Sequence, residues 1–107
     1  MKKKLNKIAT DTNLFLKKFV NNQDHSELMS AMKYGLFSGG KKIRSKILVD
    51  IGLLLSVKYK TLINIGAAVE CIHAYTLIHD DLPCMDNDKT RRGKPSTHIK
   101  FGESTAI

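Results

Sequence analysis

Two stretches of this chain are apolar on nearly every face of the helix each would form. Ile47, Leu48, Val49, Ile51, Leu53, Leu54 and Leu55 make the first; Ala67, Ala68, Val69, Cys71, Ile72, Ala74, Tyr75, Leu77 and Ile78 make the second. A helix without a polar face needs cover on all sides. The chain has 107 residues, and a domain of that size has too little interior to enclose two such helices. The sequence therefore predicts the front part of a larger helical domain, or one half of an oligomer core. The end at Ile107 agrees, because it falls inside a helical pattern without a Gly, Asn or basic stop signal. The longest apolar-rich stretch, Ile47 to Val57, carries Asp50 and is too short to span a bilayer, so no stable membrane insertion is expected.

The remaining apolar residues also recur with helical spacing. Leu5, Ile8, Thr12, Phe15, Leu16, Phe19 and Val20 predict an amphipathic first helix, broken at Asn21 to Gln23. Asp24 with Glu27 resembles a capping box, so a second helix should follow through Leu28, Met32 and Leu36 and stop at Gly39-Gly40. A third helix is expected from about Lys42 to Val57 and a fourth from about Leu62 to Asp81. Pro83 and Pro95 bracket a polar loop from Leu82 to Ser96, and a last helix should begin near Ser96 or Thr97. No segment alternates with period two, so the predicted fold class is all-α.

Composition narrows the partners. Lys plus Arg is 18 against 10 for Asp plus Glu, a formal net charge of +8. That surplus attracts anions, whether nucleic acid, acidic membrane or phosphorylated metabolite. There is no Trp, few aromatics and no paired Cys/His zinc signature, which argues against nucleic acid as the partner. Cys71 and Cys84 cannot make the disulfide framework of a small secreted domain. The basic N-terminus (Lys2, Lys3, Lys4, Lys7) is not followed by the apolar core of a signal peptide. A cytoplasmic protein is the expectation.

The stretch from His79 to Gly93 carries the most chemistry. Asp80, Asp81, Asp86 and Asp88 are four of the chain's ten acids. Carboxylates crowded this way repel unless a cation offsets them. Mg²⁺ takes hard oxygen ligands, one or two carboxylates together with substrate phosphates. Arg91 and Arg92 follow directly, and the guanidinium fork matches phosphate oxygens. Metal-holding carboxylates beside phosphate-holding arginines make a diphosphate-metal site. A solvated acidic loop with a basic tail is the plainer alternative, and it fits Asp88 and Lys89 as well. It fits Asp80 and Asp81 less well, because they close an apolar helix at the end where its dipole disfavours negative charge.

Two further elements could serve an anion. Gly39-Gly40-Lys41-Lys42-Ile43-Arg44 places basic residues at a helix mouth, where free N–H groups bind anions; ordinary positive surface explains the cluster equally well. His73 precedes Asp80 by two helical turns, so the two share a face about 10 Å apart; alone, such a histidine is more often a satisfied core residue. His79 faces elsewhere and is read as structural. Cys71, His73 and Cys84 lack zinc spacing.

Together these residues carry a family pattern. Glu70 through Asp86, reading Glu-Cys-Ile-His-Ala-Tyr-Thr-Leu-Ile-His-Asp-Asp-Leu-Pro-Cys-Met-Asp, closely resembles the first aspartate-rich motif of the trans-isoprenyl (polyprenyl) diphosphate synthases. Arg91-Arg92-Gly93-Lys94-Pro95 with Phe101-Gly102-Glu103 continues the match, and Gly39 to Arg44 resembles the family's Gly-Gly-Lys-Arg-x-Arg-Pro element. The resemblance runs from about Met29 to Ile107. It implies the N-terminal helices of the isoprenoid synthase bundle, usually dimeric, with residues 1–107 as an incomplete first part of that domain. It implies Mg²⁺ held by Asp80, Asp81 and Asp86, an allylic diphosphate (dimethylallyl or geranyl) touched by Arg91, and isopentenyl diphosphate held by Lys41, Arg44, His73 and Arg92. No catalytic residue is implied beyond these ligands. Tyr75, five residues before Asp80, would floor the pocket for the prenyl tail. The combination is most like bacterial farnesyl diphosphate synthases, although the Pro-Cys-Met-Asp-Asn-Asp wording is shared with plant-type geranylgeranyl diphosphate synthases.

The departures from the family pattern are specific. Ser45 stands where the family usually has Pro, and Lys89-Thr90 replaces an Asp-Leu before the arginines. The second aspartate-rich motif is absent from these 107 residues. The resemblance therefore implies Mg²⁺-dependent diphosphate binding without turnover by this chain alone. The alternative is a non-catalytic relic, or a regulatory partner of a full-length synthase.

Overall fold

A computed structural model describes the backbone of residues 2–107 and the side chains from Lys7 onward. Leu5 and the basic Lys2, Lys3 and Lys4, all invoked above, have side chains outside the described residues. The elements are α1 (Lys2–Asn21), α2 (Glu27–Leu36), α3 (Ile43–Leu54), α4 (Tyr59–Asp80), β1 (Thr90–Arg91), β2 (Lys94–Pro95), α5 (Thr97–Phe101) and α6 (Glu103–Ala106). The all-α expectation holds, with one short hairpin added. The chain forms two compact units, Met1–Asn22 with Gly40–Cys71 and Gln23–Gly39 with Ile72–Ile107.

In the first unit α1 packs on α3. The buried stripe of α1 is narrower than its apolar pattern. Ile8, Thr12, Leu16 and Val20 are buried at strict four-residue steps, and Phe19 is exposed. Ile8, Val49, Leu62 and Ile63 form the core, flanked by Phe15, Leu48 and Tyr59. A polar contact crosses this core, Thr12 Oγ1 to Ser45 Oγ at 2.8 Å. Gly66 lies directly beneath Ser45, and a Cβ there would collide with the Ser45 hydroxyl.

Helix α3 stops three residues before the sequence-based expectation. Ser56 adopts a left-handed φ of 61°. Its N–H bonds the Leu53 carbonyl at 3.1 Å, and the Val57 N–H bonds the Gly52 carbonyl at 3.0 Å. This is the Schellman arrangement with serine where glycine is usual, so the sequence carried no stop signal. Helix α4 correspondingly begins at Tyr59 rather than Leu62. It has 22 residues and a mean hydropathy of 1.4 in its most apolar window, long and apolar enough to cross a membrane by those measures alone. Here Leu62, Ile63, Gly66, Ala67 and Glu70 are buried in the protein.

Tyr59 anchors the start of α4. Its hydroxyl donates to Asp11 at 2.6 Å, and Lys7 Nζ donates to the same carboxylate at 3.1 Å. These hydrogen bonds, Tyr59 first, hold the Asp11 carboxyl below its ordinary value of 3.8. A carboxylate lowered on folding stabilises the fold fully above its unfolded value, and the gain is lost as pH falls through the folded value. Unfolding by denaturant should therefore show stability declining below about pH 4. Asp11→Asn should remove part of that slope, by under about 1 kcal/mol because the group is solvent-accessible.

In the second unit α2 is capped by Ser26, not by Asp24. Ser26 is extended (φ −69°, ψ 164°), and its Oγ accepts the Met29 N–H at 3.1 Å. Asp24 instead accepts the Ser26 N–H at 3.4 Å and shapes the turn ahead of the cap. Ala31 and Leu36 are the buried positions of α2, while Leu28 and Met32 are exposed. Helices α5 and α6 both pack on α2. Tyr34 of α2 donates its hydroxyl to the Pro95 carbonyl and meets the Phe101 ring edge-on at 5.6 Å. His98 of α5 is buried, and neither ring nitrogen has a hydrogen-bond partner among the described residues.

The hairpin β1–β2 pairs Thr90 with Pro95 and Arg91 with Lys94. Its two-residue turn, Arg92-Gly93, has φ of 51° and 76°. Two positive φ values mark a type I′ turn, whose twist suits a tight hairpin. Strands of two residues are too short for period-two alternation to register, which is why the sequence reads as loop.

The demand for cover read from the sequence remains visible. On α3 and just beyond it, Ile47, Ile51, Leu54 and Leu55 are exposed, Leu54 by 84 %. On α4 Ile65 and Ile72 are exposed.

Candidate functional site

The site starts where α4 ends. The Asp81 N–H still bonds the Leu77 carbonyl at 3.2 Å, and then the chain reverses. Leu82 is buried, and its carbonyl accepts the Met85 N–H at 2.9 Å and the Asn87 N–H at 3.0 Å. Asn87 takes a left-handed φ of 54°, a conformation asparagine tolerates better than most residues. The turn brings the Asp86 N–H onto the Asp80 carbonyl at 2.8 Å and the Asp88 N–H onto the Asp81 carbonyl at 3.0 Å. Residues at the two ends of the acidic motif thus become backbone neighbours. Asp80 is half-buried and Asp86 is exposed.

Asp81 has a different environment. It is 2 % exposed, and Arg91 Nε and Nη2 donate to its two oxygens at 2.9 and 2.7 Å. The hydrogen bonds to Asp81 raise the Arg91 guanidinium above its ordinary value, against a smaller lowering by burial. The resemblance groups Asp81 with the metal ligands, but in the structure both its oxygens accept from arginine. Among the described residues, no three or more His, Cys, Asp or Glu side chains converge closely enough to hold a metal ion. Asp80 and Asp86 remain as two carboxylates on neighbouring backbone at the turn. Such a pair suits Mg²⁺, which completes its shell with water and phosphate oxygens.

Arg92 projects from the turn of the hairpin, and its Nη1 donates to the Gly39 carbonyl at 3.3 Å. Gly39 has φ of 116°, and a Cβ there would lie 3.4 Å from Arg92 Cδ. The structure thus brings Arg92 to the start of the Gly-Gly-Lys element. The hairpin is tied to the acidic turn by Ser96, whose N–H bonds the Lys89 carbonyl at 2.9 Å and whose Oγ donates to the Asp88 carbonyl at 2.7 Å.

His73 and Tyr75 lie on α4 in the same unit. The His73 carbonyl accepts Thr76 Oγ1 at 2.6 Å. Tyr75 meets the His79 ring edge-on at 4.8 Å and lines a cavity of about 160 Å³ with Leu28, Met32, Ile78 and Ala106. His79 Nε2 lies 3.1 Å from the Ile107 carbonyl oxygen. Cys84 is a free, exposed cysteine. Cys71 is also free, and its thiol is pushed up chiefly by burial.

Lys41 and Arg44 belong to the first unit. Both are exposed, and Arg44 stands on the wall of an open apolar groove of about 550 Å³ with Ile47, Ile51 and Ile65. At the mouth of α3, one of the N–H groups expected to meet an anion is already engaged. Lys42 is the N-cap, left-handed at φ 55°, and gives no side-chain cap. Glu70 supplies one from α4, its Oε1 accepting the Ser45 N–H at 2.9 Å. Glu70 is buried. The helix end therefore already holds a carboxylate of the protein's own. Sequence reasoning passed over Glu70, although a lone carboxylate in an apolar helix is a signal that some donor must meet it.

Residues 25–107 match the polyprenyl synthetase family. The chain is 55 % identical over 82 residues to a farnesyl diphosphate synthase of Buchnera aphidicola, covering 77 % of this chain and 29 % of that protein. It is 47 % identical over 105 residues to a farnesyl diphosphate synthase of Haemophilus influenzae, covering 96 % and 36 %. A geranyltransferase structure from Legionella pneumophila superposes with a TM-score of 0.94 at 45 % identity, covering 99 % of this chain and 38 % of that one. The chain thus spans about a third of the length of these relatives. With the family matched over most of its residues, and the fold shared with a solved geranyltransferase, this chain belongs to the polyprenyl synthetase family.

Proposed function

We propose that this chain carries one side of the diphosphate-binding site of a short-chain prenyltransferase, of the farnesyl diphosphate synthase type. The observation that carries the reading is the turn that bonds the Asp86 N–H to the Asp80 carbonyl, which makes residues at opposite ends of the motif backbone neighbours. Asp80 and Asp86 would hold Mg²⁺, which supplies charge stabilisation for a departing diphosphate. Arg91 would contact the allylic diphosphate. Lys41, Arg44, His73 and Arg92 would hold isopentenyl diphosphate. The reaction breaks the allylic C–O bond, forms a C–C bond from the isopentenyl double bond and releases a proton. Side chains that fix both diphosphates contribute by orientation and by preorganised charge. Tyr75, beside an apolar cavity, would limit the length of the prenyl tail. The same reading makes the active protein a cytoplasmic homodimer.

Calorimetric titration of this chain with inorganic pyrophosphate tests the site without requiring turnover. Binding should need Mg²⁺ and disappear with EDTA. Asp80→Asn and Asp86→Asn should each weaken it about tenfold or more, the loss of a charged ligand. Absence of Mg²⁺-dependent binding, or affinity untouched by both substitutions, would overturn the reading.

A further inference from the structure

We propose that Glu70 is a positioning residue for the isopentenyl diphosphate grip, and that by holding Ser45 it fixes the base from which Lys41 and Arg44 reach. The inference rests on the diphosphate reading above, which gives Lys41 and Arg44 to that substrate, and it adds a residue of α4 to their support. Three contacts meet at Ser45. Its N–H is accepted by Glu70 Oε1 at 2.9 Å, and its hydroxyl lies 2.8 Å from Thr12 Oγ1. Its Cα sits so close over Gly66 that a Cβ there would lie 3.3 Å away. Glu70 follows Gly66 by one helical turn, so the bare position and the carboxylate share a face of α4. The close approach at Gly66 is what lets Glu70 reach the start of α3. Ser45 and Glu70 are both buried.

The segment leading into Ser45 is not an ordinary helix start. Gly40 has φ of 106° and Lys42 has φ of 55°. A lysine in the left-handed region is strained, and such a bend persists where the structure around it is fixed. Helix α3 has no side-chain cap from its own N-cap residue, so Glu70 supplies the anchor from α4. Arg44 adjoins Ser45, and Lys41 stands directly before the strained Lys42. Both are exposed. Long exposed side chains lose freedom on binding, and a rigid backbone beneath them leaves less to be lost.

Charge alone would argue the other way. Glu70 sets a carboxylate at a helix end and beside a basic segment, where it repels an incoming diphosphate. Positioning and charge therefore predict opposite signs when the carboxylate is removed, and a residue that merely stabilises the fold predicts no change in the affinity of folded protein.

Calorimetric titration with isopentenyl diphosphate, well below the unfolding temperature of each variant, reads that sign. Glu70→Ala should weaken binding about tenfold although it removes a repelling charge. Glu70→Gln keeps an oxygen for the Ser45 N–H and should bind at least as tightly as the unmodified chain. Glu70→Asp keeps the charge but shortens the reach by one methylene. It should weaken binding too, which supplies the test if Glu70→Ala does not fold. Combining Glu70→Ala with Arg44→Ala should lose less than the product of the two single losses, since one residue acts through the other. The Mg²⁺-dependent affinity for inorganic pyrophosphate, assigned to Asp80 and Asp86, should stay unchanged in all the Glu70 variants.

A Glu70→Ala chain that binds isopentenyl diphosphate as tightly as the unmodified chain, or more tightly, would overturn the proposal alone. So would Glu70→Asp with full affinity, or Glu70→Gln as weak as Glu70→Ala. An unmodified chain that binds no isopentenyl diphosphate, or binds it equally well with Lys41→Ala and Arg44→Ala, would overturn the functional reading and this proposal with it, an outcome distinct from the others.

Discussion

Asp81→Ala should destabilise the second unit by about 3 kcal/mol, because it strands Arg91 beside a cavity without its hydrogen-bonded counter-ion. The figure sits at the low end for a broken buried pair, since the Arg91 side chain keeps 29 % exposure while that of Asp81 keeps 3 %. Part of the loss comes from the loop. The Asp81 carbonyl and the Ser96 contacts to Asp88 and Lys89 hold hairpin and acidic turn in register, and they slacken once the side-chain pair is gone. The double replacement Asp81→Leu with Arg91→Met should recover most of the stability, because no buried charge is left unpaired. Equilibrium denaturation of the three proteins measures both effects. Equal midpoints for Asp81→Ala and the unmodified chain would mean the pair contributes nothing to the fold. A stable double variant that binds no pyrophosphate would show that the pair is kept for the site rather than for stability.

Glu70→Ala should cost the first unit about 2 kcal/mol, by leaving the buried Ser45 N–H without an acceptor. The effect reaches further than one bond. Ser45 also meets Thr12 across the core at 2.8 Å, so loosening the start of α3 disturbs the packing of α1 on α3. Glu70→Gln keeps an oxygen acceptor and should cost distinctly less. Thermal unfolding of the two variants checks this, and equal losses would mean that charge at the helix end, not the hydrogen bond, is what matters. The prediction also concerns the departure at position 45. A proline there would have no N–H to give Glu70, whereas the serine of this chain uses both its N–H and its hydroxyl.

The sequence was informative wherever a property is local. Helical periodicity located all four long helices, because spacing of apolar residues needs no knowledge of what they touch. It erred at ends that depend on backbone geometry. Ser56 closes α3 in a conformation usually given to glycine, and Ser26 caps α2 two residues after Asp24. The hairpin was invisible because two-residue strands carry no period. The acidic motif and the paired arginines were legible as chemistry, since like charges crowded in a row are unusual and demand a cation.

What the sequence alone determined is the helical class, the family pattern and the list of charged residues from which a diphosphate site can be made. What only the tertiary structure decided is how those charges are allotted. Asp80, Asp81 and Asp86 are the same residue type within one motif, and nothing in their order sets one apart. The turn after α4 bonds the backbones of Asp80 and Asp86 and sends the Asp81 side chain inward to Arg91. Glu70, unremarked in an apolar helix, becomes the cap of α3. Both assignments turn on which carboxylate loses its water, and burial is a property of the folded chain rather than of the residue.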